Sequence, residues 1–294
     1  MIQLETKNGK IVPEIGLGTF GITAESVRDA VQIGYRLIDT SDDYANEDMI
    51  GQQLQRLYKE GEVKREDLFL QTKISDNASF WNDPLNGVFF WSNSPFMHRH
   101  TVEEVIREKL RDSKRKLRTD YLDSVLIHFP YPDYYVEMWE ILCKIKDEEH
   151  IRYIGVSNFN ERHFNALSMN CEVPSINQTY FSPIGSRQAL CDYCNNRGIK
   201  LMTYSPLKDY SYGYLEHPII KYMIEKYGRT GAQIVLRWNL ERGSIPCPKS
   251  NSKRRLQENF DVLKFKMDMN DIEKISSLNY NYQFLPESKN CPGI

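Results

Sequence analysis

The sequence predicts an α/β chain folded as one closed (β/α)8 barrel, a TIM barrel. Two observations carry that expectation. Eight short β-type runs alternate with longer amphipathic stretches, and strands separated by helices must run parallel. Polar residues also close several apolar runs: Asp39 after Arg36-Leu37-Ile38, Lys73 after Leu68-Phe69-Leu70-Gln71-Thr72, and His128 after Val125-Leu126-Ile127, with Tyr44 five residues beyond Asp39. A packed core would not select them, whereas a parallel barrel assembles a catalytic site from the downstream ends of several strands. The chain therefore reads as an enzyme.

The elements follow in order. Gln3 to Glu14 reads as a hairpin turning at Asn8-Gly9, a dipeptide suited to positive φ at both central residues. The strands are expected at Glu14–Thr19, Arg36–Thr40, Leu68–Lys73, Leu122–His128, Tyr153–Ser157, Ser175–Thr179, Lys200–Ser205 and Ser244–Pro248. Pro246 and Pro248 remove ladder donors, so the eighth strand should be short or bulged. Amphipathic stretches include Ala24–Ile33, Glu47–Tyr58, Thr101–Leu117, Tyr135–Asp147, Gly231–Arg242 and Lys253–Phe260. A late helix, Met269–Leu278 with Asn270 as cap, precedes a polar tail at 279–294.

One segment breaks the rhythm. Residues 74–100 form a long loop carrying Phe80, Trp81, Phe89, Phe90, Trp91 and Phe96 among Pro84, Gly87 and Pro95. A long loop in a compact domain is usually functional or disordered, and this many aromatics argue against disorder. Leaving the downstream end of the third strand, it should overhang the site; the alternative is a satellite cluster on the barrel flank.

Composition bounds the function. The chain has 294 residues, 40% apolar and 27% charged, with net charge −2 and mixed signs. This gives no support to a nucleic-acid face or a membrane-surface stripe. Met1 to Lys10 lacks a signal-peptide core and no run approaches a membrane span, so a cytoplasmic protein is expected. With no composition break, residues 1–294 read as one domain. Six cysteines fit a reducing compartment, and Cys191 and Cys194 read as one buried helix face, with no second pair to complete a metal site.

A competing fold is also legible. Gly16-Leu17-Gly18-Thr19-Phe20-Gly21 matches G-x-G-x-x-G, with Asp39 about twenty residues on, the fingerprint of a doubly wound dinucleotide-binding domain. Such a domain gives no reason for the polar residues at the later strand ends.

Gly34 to Gly51, containing Asp39-Thr40-Ser41-Asp42-Asp43-Tyr44-Ala45-Asn46-Glu47, resembles the signature of the aldo-keto reductase superfamily, NADPH-dependent carbonyl reductases on a (β/α)8 barrel. The resemblance continues through Lys73, Leu126-Ile127-His128-Phe129-Pro130, Ile154-Gly155-Val156-Ser157-Asn158-Phe159, Asn177-Gln178, Tyr204-Ser205-Pro206-Leu207, Pro248-Lys249-Ser250 and Arg255-Leu256-Gln257-Glu258-Asn259.

Reducing a carbonyl by hydride requires a proton donor at the oxygen, and a tyrosine with a pKa of about 10 is a reluctant one. A neighbouring ammonium should make the phenol a better acid, and a carboxylate should hold that ammonium. The resemblance makes Tyr44 the general acid, Lys73 and Asp39 its tuning pair, and His128 the group that orients the carbonyl. It also implies NADPH/NADP as cofactor. Ser157, Asn158 and Gln178 would bind the nicotinamide carboxamide, and Tyr204 would stack on the ring. Gly18, Thr19, Asp39, Ser205 and Leu207 would line the cofactor's path, with Lys208 as a further helper. Lys249, Ser250, Asn251 and Arg255 gather near a helix start, where an anion is favoured, and suggest the 2′-phosphate. Glu258 and Asn259 would contact the adenine. Phe20, where many members carry tryptophan, would form the substrate pocket with Tyr44, His128, Phe129, Trp81 and Trp91. Aromatics there, with Tyr131, hint at an apolar or ring-containing substrate.

Two functions fit: a reductase of aldehydes or ketones, reversible toward alcohol oxidation, and a cofactor-binding barrel with a regulatory or scaffolding role. The small-molecule carbonyl is the expected partner, without nucleic acid or membrane, and oligomeric state is open.

Overall fold

The computed structural model describes residues 3–75, 101–131, 134–167, 171–208 and 216–282. Eight parallel strands run in sequence order through one sheet: β1 Gly16–Gly18, β2 Leu37–Asp39, β3 Phe69–Ile74, β4 Leu122–Ile127, β5 Ile151–Ser157, β6 Ile176–Tyr180, β7 Lys200–Tyr204 and β8 Ser244–Cys247. A backbone hydrogen bond from Gly18 N–H to Pro248 O, 3.1 Å long, draws the first strand against the end of the last. The fold is the expected (β/α)8 barrel, not the doubly wound sheet.

The glycine fingerprint has a packing cause. Gly16 and Gly18 lie within β1 itself, where an added Cβ would come within 2.6 Å of the Cys247 thiol and the Cys247 carbonyl respectively. They let the first strand close on the eighth; they do not shape a phosphate loop. Strand β8, four residues long with Pro246 inside it, is short as its prolines require.

Around the sheet lie α1 Ala24–Ile33, α2 Glu47–Lys59, α3 Val102–Leu117, α4 Tyr135–Ile145, α5 Glu161–Ala166, α6 Gln188–Asn196, α7 Pro218–Tyr227, α8 Gly231–Glu241, α9 Lys253–Phe260 and α10 Met269–Ser276. Helix starts are locally encoded: Thr101 with Glu104 and Thr230 with Gln233 form capping boxes before α3 and α8. Asp268, not Asn270, stands at the N-cap of α10, because the helix begins at Met269. Six-residue α5 is too short for its periodicity to register in the sequence. Cys191 and Cys194 share the buried face of α6, as expected.

The core has two parts. Between strands and helices lies the larger apolar layer, including Ile38, Leu70, Ile127, Trp139 and Trp238. Inside the barrel a second cluster joins Leu37, Phe69, Leu126, Ile176, Met202, Ile245 and Cys247 to Leu4 and Val12. Leu4 and Val12 belong to the N-terminal hairpin, so that hairpin plugs one end of the barrel. Its ladder is a single bridge, Glu5 to Ile11, flanked by Thr6 N–H to Lys10 O and Val12 N–H to Leu4 O, each 2.9 Å. Of the two turn residues, only Gly9 takes positive φ, at 77°, because the loop spans three residues and needs a single left-handed position.

The segment 76–100, with Trp81 and Trp91, and the end of the tail, 283–294, lie outside the described residues. No helix among the described residues is long and apolar enough to cross a membrane.

Candidate active site

Strand alternation builds the site. Side chains two apart on a strand share a face, so the interior positions Leu37, Phe69 and Leu126 are followed inward by Asp39, by Gln71 and Lys73, and by His128. An apolar layer thus gives way to polar side chains at the downstream mouth. Tyr44 reaches the same mouth from the connection after β2. It ends a 3-10 turn, Asp42–Tyr44, and Ala45 with φ 54° then redirects the chain into α2.

Lys73 is the hub, only 1% exposed. Its Nζ bonds Asp39 Oδ1 at 2.7 Å and Thr40 O at 2.8 Å, and reaches the Tyr44 hydroxyl at 3.5 Å. Gln71 Nε2 donates to the same Asp39 oxygen at 2.8 Å. Burial pulls the ammonium's pKa down, but Asp39 and Tyr44 hold it above its ordinary value, so Lys73 is charged.

The phenol behaves differently from the sequence expectation. Burial raises Tyr44 from 10.0 to about 12 and outweighs the opposing pull of Lys73. Lys73 limits the rise; it does not produce an unusually acidic phenol. At neutral pH Tyr44 therefore carries its proton.

His128 follows the end of β4, its N–H bonded to Ile74 O at 3.0 Å. Its ring lies edge-on to Tyr44 at 6.0 Å between centroids and stacks on Phe129 at 4.7 Å. Burial, with Lys73 adding to it, lowers its pKa from 6.5 to about 3, so the imidazole is neutral. Its Nδ1 faces Ser75 Oγ at 2.8 Å, Ser41 Oγ at 3.2 Å and Asp43 Oδ2 at 3.5 Å.

Asp39, Asp43, Tyr44 and His128 open onto one cavity of about 360 Å³, lined also by Gly18, Thr19, Phe20, Phe129, Asn158, Gln178, Tyr204, Ser205, Lys208, Cys247 and Lys249, with Lys73 buried behind Asp39 and Tyr44. Phe20 is 69% exposed and meets Tyr44 edge-on at 5.3 Å. Asn158, held at φ 63°, accepts from Tyr204 OH at 2.8 Å and donates to His128 O at 3.1 Å. Ser157 donates to Gln178 O at 2.9 Å. Gln178 itself is fully buried, and among the described residues neither Nε2 nor Oε1 of its amide has a hydrogen-bond partner. A buried amide with both ends unpaired is costly unless something occupies the cavity beside it.

The remaining expected residues are more dispersed. Leu207 packs on the core, and Tyr131 is buried beside Phe129. Asn251 clasps the loop after β1, accepting from Thr23 N–H and donating to Gly21 O, each 3.1 Å. Ser250 accepts from Ser252 N–H at 3.1 Å just ahead of α9. Arg255 is exposed on α9, Asn259 is buried, and Glu258 accepts from Thr230 at 2.7 Å. Sequence reading assigned no role to Gln71, Ser75 and Cys247, whose contacts cross long stretches of chain and which no local pattern marks, nor to Ser41 and Asp43, which lie within the Asp39–Glu47 signature but meet His128 only through the fold.

Residues 14–280 match the sequence model of the Aldo/keto reductase family. The chain is 34% identical over 291 residues to methylglyoxal reductase DkgA of Escherichia coli, covering 97% of this chain and 96% of that protein. It is 34% identical over 278 residues to glyoxal reductase of Bacillus subtilis, covering 92% and 91%. Among solved structures, a Bombyx mori aldo-keto reductase in complex with NADP superposes with TM-score 0.80 at 29% identity, covering 99% of this chain and 97% of that one.

Proposed function

Because the chain belongs to the aldo/keto reductase family, we propose that it reduces an aldehyde or ketone to the alcohol with hydride drawn from NADPH. The observation that carries this reading is the cluster at the cavity: Lys73 Nζ 2.7 Å from Asp39 and 3.5 Å from the Tyr44 hydroxyl, with the neutral His128 beside them.

The residues present fit NADP(H). The unpaired amide of Gln178 offers one donor and one acceptor, the complement of a carboxamide. Asn158 and Ser157 would complete that contact, Tyr204 would stack on the ring, and Gly18, Thr19, Ser205 and Leu207 would line the path. Lys249, Ser250 and Arg255 would take the 2′-phosphate, with Asn251 shaping the neighbouring loop. Glu258 and Asn259 would meet the adenine. Bound there, the nicotinamide supplies the hydride.

The chain's own part is proton supply and charge. Tyr44 donates its phenolic proton to the carbonyl oxygen as the carbon receives hydride, so C=O becomes CH–OH and a phenolate remains. Lys73 stabilises that phenolate, and Asp39 and Thr40 O hold Lys73 in place. His128 hydrogen-bonds the substrate oxygen as negative charge develops on it. The substrates named for the relatives point to small aldehydes such as methylglyoxal and glyoxal, with Phe20 at the entrance.

Loss of NADPH absorbance on mixing purified protein with methylglyoxal, glyoxal and an aromatic aldehyde tests the proposal. Turnover of at least one is expected. NADPH binding without turnover of any would favour the regulatory barrel instead.

A further inference from the structure

A neutral imidazole carries one N–H, and only the nitrogen holding it can donate. His128 presents Nδ1 to a polar cluster, which leaves Nε2 for the cavity that the ring lines. If His128 is to donate to a substrate oxygen, as the proposed function requires, the proton must sit on Nε2.

The proton inventory around Nδ1 decides the matter. Ser41 has committed its proton, donating to Asp43 Oδ1 at 2.6 Å, so toward the ring it offers a lone pair. The Asp43 carboxylate lies 3.5 Å from Nδ1, at the outer limit of hydrogen bonding, and is partly satisfied by Ser41. Ser75 makes the shortest contact, Oγ to Nδ1 at 2.8 Å, and is 1% exposed. Its main-chain N–H is already bonded to Asp42 at 3.1 Å, which fixes the hydroxyl beside the ring. Were Nδ1 protonated, the Ser75 hydroxyl hydrogen would have no acceptor among the described residues. An unsatisfied buried donor is the costly outcome.

We propose that Ser75 is a positioning residue: its hydroxyl donates to Nδ1 and holds His128 as the Nε2–H tautomer. Asp43 is the opposing pull, because without the Ser75 donor its carboxylate and the Ser41 lone pair would draw the proton onto Nδ1.

Long-range proton–nitrogen correlation spectra of the histidine rings, with the His128 signals identified from a His128→Gln sample, test this directly. The intact protein should show Nε2–H. Ser75→Ala should move His128 toward Nδ1–H and lower kcat roughly 100-fold, the magnitude for losing one donor to a developing oxyanion, with NADPH affinity retained. Ser75→Thr, which keeps the hydroxyl, should keep the tautomer. Adding Asp43→Asn to Ser75→Ala should restore it, since the amide can donate where the carboxylate could only accept. An Nδ1–H signal in the intact protein, or an unchanged tautomer in Ser75→Ala, would overturn the proposal. The spectra need no turnover, so a failure of the reductase reading would leave the tautomer result standing.

Discussion

Gln71 donates to Asp39 Oδ1 at 2.8 Å, the same oxygen that bonds the Lys73 ammonium at 2.7 Å. All three side chains are buried, so this carboxylate depends on two protein donors in place of water. Gln71→Met, similar in size and without the donor, should cost about 1.5–3 kcal/mol, the range for a hydrogen bond to a charged group. Urea denaturation measures it. A midpoint equal to that of the unaltered protein would show that Asp39 does not need Gln71.

With Tyr44 as the proposed general acid, its raised pKa should set the alkaline limit of reduction. A phenol at about 12 keeps its proton well past the point where an ordinary tyrosine, at 10.0, is half ionised. Because the acid must be protonated to act, kcat/KM for reduction should stay level from neutral pH through about pH 10. Loss of half the activity by about pH 9 would contradict the burial-dominated phenol.

Glu47 should give stability a slope of unusual sign. Burial raises its carboxyl from 4.5 to about 7, although Thr72 Oγ1 at 2.7 Å and Ser113 Oγ at 3.1 Å donate to it. Between those values the unfolded chain releases the proton while the folded chain keeps it, so this group's contribution falls as pH rises and levels off above about 7. Comparison with Glu47→Gln isolates the effect. The variant should gain on the order of 3 kcal/mol relative to the unaltered protein between acid and neutral pH, at about 1.4 kcal/mol per pH unit of displacement. Parallel stability curves would refute it.

At the opposite end of the barrel from the cavity, Asp123 is fully buried and bonds Arg65 at 2.8 Å, Arg152 at 3.0 Å and the Leu70 N–H at 3.0 Å. Asp123→Ala removes the carboxylate shared by both guanidiniums and leaves the buried Leu70 N–H without its acceptor, while Arg65 keeps Leu68 O and Tyr121 O and Arg152 keeps Glu5 O; the loss should cost about 3 kcal/mol in chemical denaturation. Because this cluster lies away from Tyr44, kcat of the folded variant should be preserved. A loss of kcat without loss of stability would mean the cluster serves the site.

Asp39, Lys73 and His128 were legible because each closes an apolar run, and a polar group in that position on several parallel strands has few structural explanations. Tyr44 needed the surrounding family pattern, being in a connection. Gln71 and Ser75 were invisible, since their partners lie 32 and 53 residues away and nothing local distinguishes them from ordinary strand residues. Tyr44's shift was misjudged for a related reason: charge neighbours can be read from sequence, but the degree of burial cannot. The glycines of β1 invited a nucleotide-loop reading because contact with Cys247, more than two hundred residues away, demands the same residue.

Tyr44→Phe keeps the ring and removes only the hydroxyl, so it isolates the proton that Tyr44 is proposed to supply. Single-turnover reduction and NADPH titration on that variant should show the chemical step slowed by about 10²–10⁴-fold with cofactor affinity within about twofold of the unaltered protein. Reduction at the unaltered rate would rule out Tyr44 as the proton donor.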